Sequence, residues 1–225
     1  MKTIHRLFNT LAAVAIVVSG ASLSQASSSI ADQPGGAFST NGLNGWSERS
    51  FEGNTRYELV DEGGVAVLKG HTRSKASVLY REEVVDLSKT PVISWSWKID
   101  QTYSGIDEKS RAGDDFPARL YVVVKTGFLP WDTLAINYVW SSSVPVGETW
   151  ANPFTGKAKM VAVQSGDADV GKWSLHSRNI VDDFKTLFDL DADELDGYAV
   201  MVDGDNSKQE GTAWFGEINF SSAMP

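Results

Sequence analysis

The chain has 225 residues, 42% hydrophobic and 11% aromatic, which is ample for a packed core and excludes a disordered protein. It has no cysteine, so its fold is held without covalent staples. Its formal charge of −9, with no dense run of lysine and arginine, excludes nucleic acid and anionic membrane surfaces as partners and favours a soluble monomer.

In chain order, Lys2, His5 and Arg6 precede an apolar run over 11–18, and small residues follow at Ser24 and Ala26. These are the three parts of a cleaved secretory signal over residues 1–26. The apolar run is shorter than the roughly 20 residues that span a bilayer, so a leader is expected and no transmembrane segment remains after cleavage. Without a cysteine behind it, lipid attachment at the new N-terminus is excluded. Loss of Lys2 and Arg6 leaves 18 basic against 29 acidic residues, a net charge of −11. The expected location is periplasmic or secreted.

Residues 27–36 are rich in serine, glycine and proline and read as a flexible linker. From 37 to 222 no repeat, low-complexity stretch or charge block divides the chain, so one domain is expected. Period-2 runs dominate it. Residues 56–60 and 65–70 flank Asp61, Glu62, Gly63 and Gly64 as a hairpin. Further strands are predicted over 76–85, 91–100, 117–126, 133–141, 159–165, 172–179, 198–203 and 212–220. Pro91 and Pro117 each stand at a strand start, where the missing N–H does no harm. About ten strands with Gly, Pro, Asn and Asp turns predict an all-β domain, a two-sheet jelly-roll or β-sandwich. One short capping helix is predicted near 182–189, with Phe184, Leu187 and Phe188 on one side and Asp182 and Asp183 in its first turn. Residues 191–196 read as a further helical turn.

Alternation assigns the faces of the strands. Ile93, Trp95, Trp97 and Ile99 form one apolar set, and Ala118, Leu120, Val122 and Val124 another. The opposite faces then carry Lys98, Arg119 and Tyr121, and the same logic sends Asn137, His176, Arg178 and Glu217 away from the core. If these strands share one sheet, Lys98, Arg119, Tyr121, Asn137, His176 and Glu217 form a surface suited to stacking on sugar rings and hydrogen-bonding their hydroxyls. The bland alternative is that solvent-facing strand positions simply hold polar residues.

Two loops hold further candidates. After Asp100, a long polar loop carries Arg111, Asp114 and Asp115 ahead of Arg119; it fits an Asp–Arg pair that orders the loop, a turn cap, or oxygen ligands for Ca2+. Asp203, Asp205 and Asn206 begin like a calcium loop, but Trp214 stands where an EF-hand needs its bidentate acid. The segment therefore reads as a turn or a looser Ca2+ site. Ca2+ is the one cofactor the residues admit, and none is required. With His5 in the leader, His71 and His176 cannot build a multi-histidine zinc centre, and Ser141, Ser142 and Ser143 lack the glycine-flanked nucleophile turn.

Several phrases resemble a bacterial exported family known only as a domain of unknown function. They are residues 42–46, 79–81, 95–98, 112–123, 136–141 and 203–206, and the match they belong to covers essentially the whole mature chain. The resemblance implies a proteobacterial-type envelope protein and carries no activity with it. A looser resemblance, to carbohydrate-binding jelly-roll modules, rests on the turn from Phe38 to Trp46, on Val85, Asp86 and Leu87, and on residues 214–218.

Three functions are left open. The first is a non-catalytic binding domain for a glycan or similar polar ligand, using the face of Arg119 and Tyr121. The second is a polysaccharide lyase or glycoside hydrolase on the same fold, for which Arg119, Asn137, His176 and Tyr121 are the right kinds of group. The third is a structural envelope protein that meets other proteins through exposed sheet edges.

Overall fold

The computed structural model describes residues 38–129 and 132–224. The expected leader, 1–26, and linker, 27–36, lie outside the described residues. A single helical turn, α1 (Phe38–Asn41), is followed by β1 (Trp46–Glu52), β2 (Arg56–Glu62), β3 (Val65–Arg73) and β4 (Ala76–Asp86). Next come β5 (Val92–Ile99), β6 (Ala118–Lys125), β7 (Thr133–Ser141), β8 (Thr149–Ala151) and β9 (Ala158–Ser165). The chain ends with β10 (Ser174–Asn179), α2 (Ile180–Phe188), β11 (Glu194–Met201) and β12 (Glu210–Ser221). Among the described residues no helix is long and apolar enough to cross a membrane.

The protein is an all-β sandwich. Its larger sheet runs β1-β4-β11-β6-β7-β9-β8 and its smaller one β10-β5-β12-β3-β2, so the last strand is the centre of the smaller sheet. Pairing is antiparallel except between β7 and β9. The two apolar sets expected on β5 and β6 meet in the interior, as alternation requires: Trp95, Trp97, Leu120 and Val122 are all fully buried. Trp95 stacks on Tyr138 of the facing sheet with ring centroids 5.3 Å apart, and Trp97 lies 6.3 Å from Trp140. Gln164 on β9 crosses the same gap, its Oε1 accepting from Trp97 Nε1 at 2.9 Å.

The capping helix starts two residues earlier than the pattern suggested. Asn179 is its N-cap, and its side chain accepts from the N–H of Val181 and Asp182. Ile180 and Phe184 are buried against the core, and Asp183 accepts from the Tyr138 hydroxyl at 2.7 Å while pairing with Arg178. Residues 191–196 are not a further helical turn: β11 begins at Glu194, paired with Asp86 of β4. Two strands carry no readable alternation, the polar edge strand β1 and the three-residue β8.

On β10 the expected facing is reversed. His176 is the partner of Trp95 and Arg178 of Ile93, so both point between the sheets, and Leu175 is 70% exposed. The reason is hydrogen bonding at the sheet edge. His176 lies 5.4 Å from the Trp95 ring and 5.2 Å from that of Trp97, with Nε2 3.0 Å from Gln164 Oε1. A leucine there would leave the Gln164 carbonyl with one partner fewer.

Candidate functional site

The loop from Asp100 to Pro117 is ordered and folds over the outer face of the larger sheet. Phe116 is buried against Val139 and Met160 of that face, with Trp150 beside them. Three charged residues tie the loop down. Glu108 is buried and accepts from Ser141 Oγ, Ser142 N (2.6 Å) and Val144 N (3.2 Å), so the triple serine is a carboxylate cradle. Asp115 is buried and accepts from Asn206 N at 3.2 Å, Asn206 Nδ2 at 3.1 Å and Ser207 N, joining the loop to the β11–β12 turn. Gly113 permits the bend between them, since a Cβ there would lie 2.3 Å from the Asp107 carbonyl oxygen.

Arg119 is the third anchor. Parity puts it on the outer face, as alternation from Leu120 demands, but the loop covers it and it is only 3% exposed. Its Nε donates to Asp203 Oδ1 at 2.8 Å, and its Nη2 to Asp203 Oδ2 and the Asp114 carbonyl. Nη1 lies 3.6 Å from Asp114 Oδ1, and the guanidinium sits 4.5 Å from the Phe116 ring centroid. Burial pushes the Asp114 carboxyl up to about 6, against the opposing pull of Arg119. Asp205 is raised too, by burial first and then by the charge of Asp115.

Beyond the loop the outer face opens into a cleft of about 200 Å3. Its floor holds Tyr121 and Asn137, cross-strand partners on β6 and β7, together with Met201, Ala135 and Ala158. Tyr121 donates its hydroxyl to Met201 Sδ at 3.2 Å. Asn137 is buried, and its Oδ1 has no hydrogen-bond partner. Phe51, on the edge strand β1, bounds one side, and Phe154, in the β8–β9 turn, bounds the other. Phe154 is held by its N–H to Asn152 Oδ1 (3.0 Å) and by Arg111, whose guanidinium lies 5.3 Å from the ring. Asn152 also donates to Asp114 Oδ2 at 3.0 Å, and Asp205 and Glu52 complete the polar rim.

The six residues expected on one surface divide between the two sheets. Arg119, Tyr121 and Asn137 come together at the cleft. Lys98 lies on the outside of the smaller sheet, 2.6 Å from Glu62 and over the rings of Trp214 and Trp173. His176 is between the sheets, and Glu217 accepts from Ser39 N and Oγ at 3.1 and 2.8 Å, holding the start of α1. Of the loop residues, Asp114 faces Arg119, whereas Arg111 donates to the Pro153 carbonyl at 3.0 Å. Of the trio Asp203, Asp205 and Asn206, the two carboxylates lie together. Asp115 joins them, the carboxylate oxygens of the three lying within 4.8 Å of one another, while the Asn206 side chain donates to Asp115 and Asp203 is engaged by Arg119. Phe51, Asn152, Phe154 and Met201 carry no mark of a site in sequence; an Asn-Pro-Phe turn signal at 152–154 is their one trace.

The family described as "Protein of unknown function (DUF3047)" matches residues 44–219, and the chain belongs to it. No curated protein matches it by sequence. Among solved structures it is similar to the family 11 carbohydrate-binding module of a cellulosomal cellulase of Clostridium thermocellum. That similarity has a TM-score of 0.47 and 11% identity over 88% of this chain and 98% of the module. It is also similar to a family 30 module of another cellulosomal cellulase of that organism, with a TM-score of 0.48 and 11% identity over 87% of this chain and 96% of the module.

Two outcomes follow from the buried charges. Asp203→Ala removes the bidentate partner of the buried Arg119 guanidinium, leaving it only the Asp114 contacts, and is expected to cost about 3 kcal/mol in urea unfolding, whereas adding Arg119→Met recovers part of that loss. Strictly additive losses would show that the pair is not coupled. The second outcome concerns pH. Burial lowers His176 from 6.5 to about 4, so between those values the unfolded chain binds a proton the folded one does not, and stability falls on acidification. Asp114, raised from 3.8 to about 6, acts in the opposite sense, stabilising the folded state as pH drops through that interval. Unfolding midpoints measured from neutral pH to about 4 should show a weaker acid decline for His176→Gln and a steeper one for Asp114→Asn.

Proposed function

We propose that this member of the family is an exported, non-catalytic binding protein that holds a glycan, or a similarly polyhydroxylated polar ligand, in the cleft of the larger sheet. The observation that carries this reading is the cleft floor: a buried Asn137 carbonyl oxygen without a partner, set between the aromatic side chains of Phe51, Tyr121 and Phe154. An amide oxygen left unpaired costs free energy that a ligand hydroxyl restores, and aromatic side chains supply apolar surface for the carbon faces of a sugar ring. The groove runs across the strands from one edge of the sheet toward the other, which suits an extended chain.

The non-catalytic part is supported by how the reactive groups are engaged. His176 lies between the sheets rather than in the cleft, and Arg119, the group that would neutralise a uronate carboxylate, is held by Asp203. The exported part rests on the leader pattern over 1–26.

Titration calorimetry against a panel of soluble oligosaccharides is expected to give saturable binding. Phe154→Ala and Asn137→Ala are each expected to weaken it about tenfold, or 1.4 kcal/mol, with thermal melts confirming that the variants fold. Wild-type affinity in both variants would place the ligand elsewhere, and shortened or unsaturated products during the titration would overturn the non-catalytic part. For export, fractionation of expressing cells is expected to place the protein outside the cytoplasm with Ser27 at its N-terminus. An intact Met1 on cytoplasmic protein would refute it.

A further inference from the structure

We infer that the cleft selects glycans bearing free amino groups and turns away uronates, a refinement that rests on the glycan reading above. The argument is the charge balance of the lining. Glu52, Asp114, Asp203 and Asp205 all border the cleft, and Arg119 is the only base among the lining residues. That base offers nothing to an incoming carboxylate. Its Nε and Nη2 donate to Asp203 and the Asp114 carbonyl, Nη1 faces Asp114 Oδ1, and the residue is covered by the loop. An anionic sugar would therefore meet three carboxylates besides Asp203, and a further cation described at the cleft, Arg111, lies against the Phe154 ring with its Nε donating to the Pro153 carbonyl.

An ammonium meets the reverse situation. Asp114 keeps one oxygen, Oδ1, buried and without a hydrogen-bond partner, and that carboxylate sits at the wall beside Asn152. The neighbouring acids raise the cost of keeping it charged, and burial already pushes it up to about 6. Asp205, half-buried on the same rim, is raised by burial and by Asp115. A positive charge placed among Asp114, Asp205 and Glu52 relieves that repulsion, where a neutral hydroxyl can only hydrogen-bond to it. The recognising chemistry is thus a primary ammonium on a polyhydroxylated chain, as in a glucosamine oligomer.

The test is calorimetric titration of the mature protein at neutral pH and low salt with four probes: a β-1,4-glucosamine hexamer, cellohexaose, a galacturonate hexamer and hexalysine. The expected result is that the glucosamine hexamer binds about tenfold or more tightly than cellohexaose. The margin should shrink at high salt, and in Asp205→Asn and Glu52→Gln, while galacturonate gives no heat. Equal or tighter binding of cellohexaose overturns the charge selection and leaves glycan binding standing, as does tight binding of galacturonate. A margin unmoved by both substitutions places the amine elsewhere and also overturns it. Hexalysine binding more tightly than the sugar assigns the cleft to basic peptides and overturns both readings. Absence of heat with all four removes the glycan reading itself.

Discussion

The guanidinium of Arg119 lies out of water, and the loop between β5 and β6 takes its course from that condition. A buried positive charge without an anion beside it is strongly destabilising, so Asp203 must stand across from it and the Asp114 carbonyl must close over it. Asp203 opens the β11–β12 turn and Asp114 belongs to the covering loop, so one side chain on β6 registers both segments against the sheet. Asp115 repeats the link with Asn206 and Ser207, and Glu108 anchors the far end of the loop on the serines after β7. The cleft is what remains of the sheet face once these contacts are made. Its acidic character follows from the same arrangement, because more carboxylates are needed to hold the loop than one arginine can balance.

The division of labour between the two sheet faces follows from alternation along each strand. Leu120, Val122, Ile136 and Tyr138 turn inward to the tryptophans of β5, and Arg119, Tyr121 and Asn137 turn outward to the cleft. The outer face is far from bare even where no loop lies on it. Ala76, Val78, Ala199 and Met201 form a small apolar cluster there with Phe51, Tyr80 and Tyr121. A site built on such a face combines apolar contact with a few polar groups set by strand pairing.

Much of the architecture was legible because most strands are half-buried, and half-burial writes a period of two into the chain. The signal failed where that condition fails. β1 has polar residues on both faces at the sheet edge, and β8 is too short to show a period. β10 misled more deeply: His176 reads as an outward residue, yet hydrogen bonding to Gln164 and contact with two indoles draw it inside while Leu175 faces water. The site was legible only in part. Arg119, Tyr121, Asn137 and Asp114 could be marked from parity and polarity, but their company could not. Lys98 and Glu217 stand in the other sheet, and Phe51 and Phe154 reach the cleft from an edge strand and a turn, so only the order of strands brings them in. The burial of Arg119 was equally hidden, since it depends on where a loop with no period comes to rest.

The position of β12 has a consequence for how the smaller sheet closes. This strand of 12 residues is the last of the described strands and lies between β5 and β3, in the middle of the smaller sheet. Without β12, β2 with β3 and β5 with β10 are two separate ribbons with no common centre, and Trp95 and Trp97 have no complete layer to sit in. Closure of this sheet is therefore a non-local event: β12 must pair with β5 and β3, strands more than 100 residues earlier in the chain, before either ribbon has its partner.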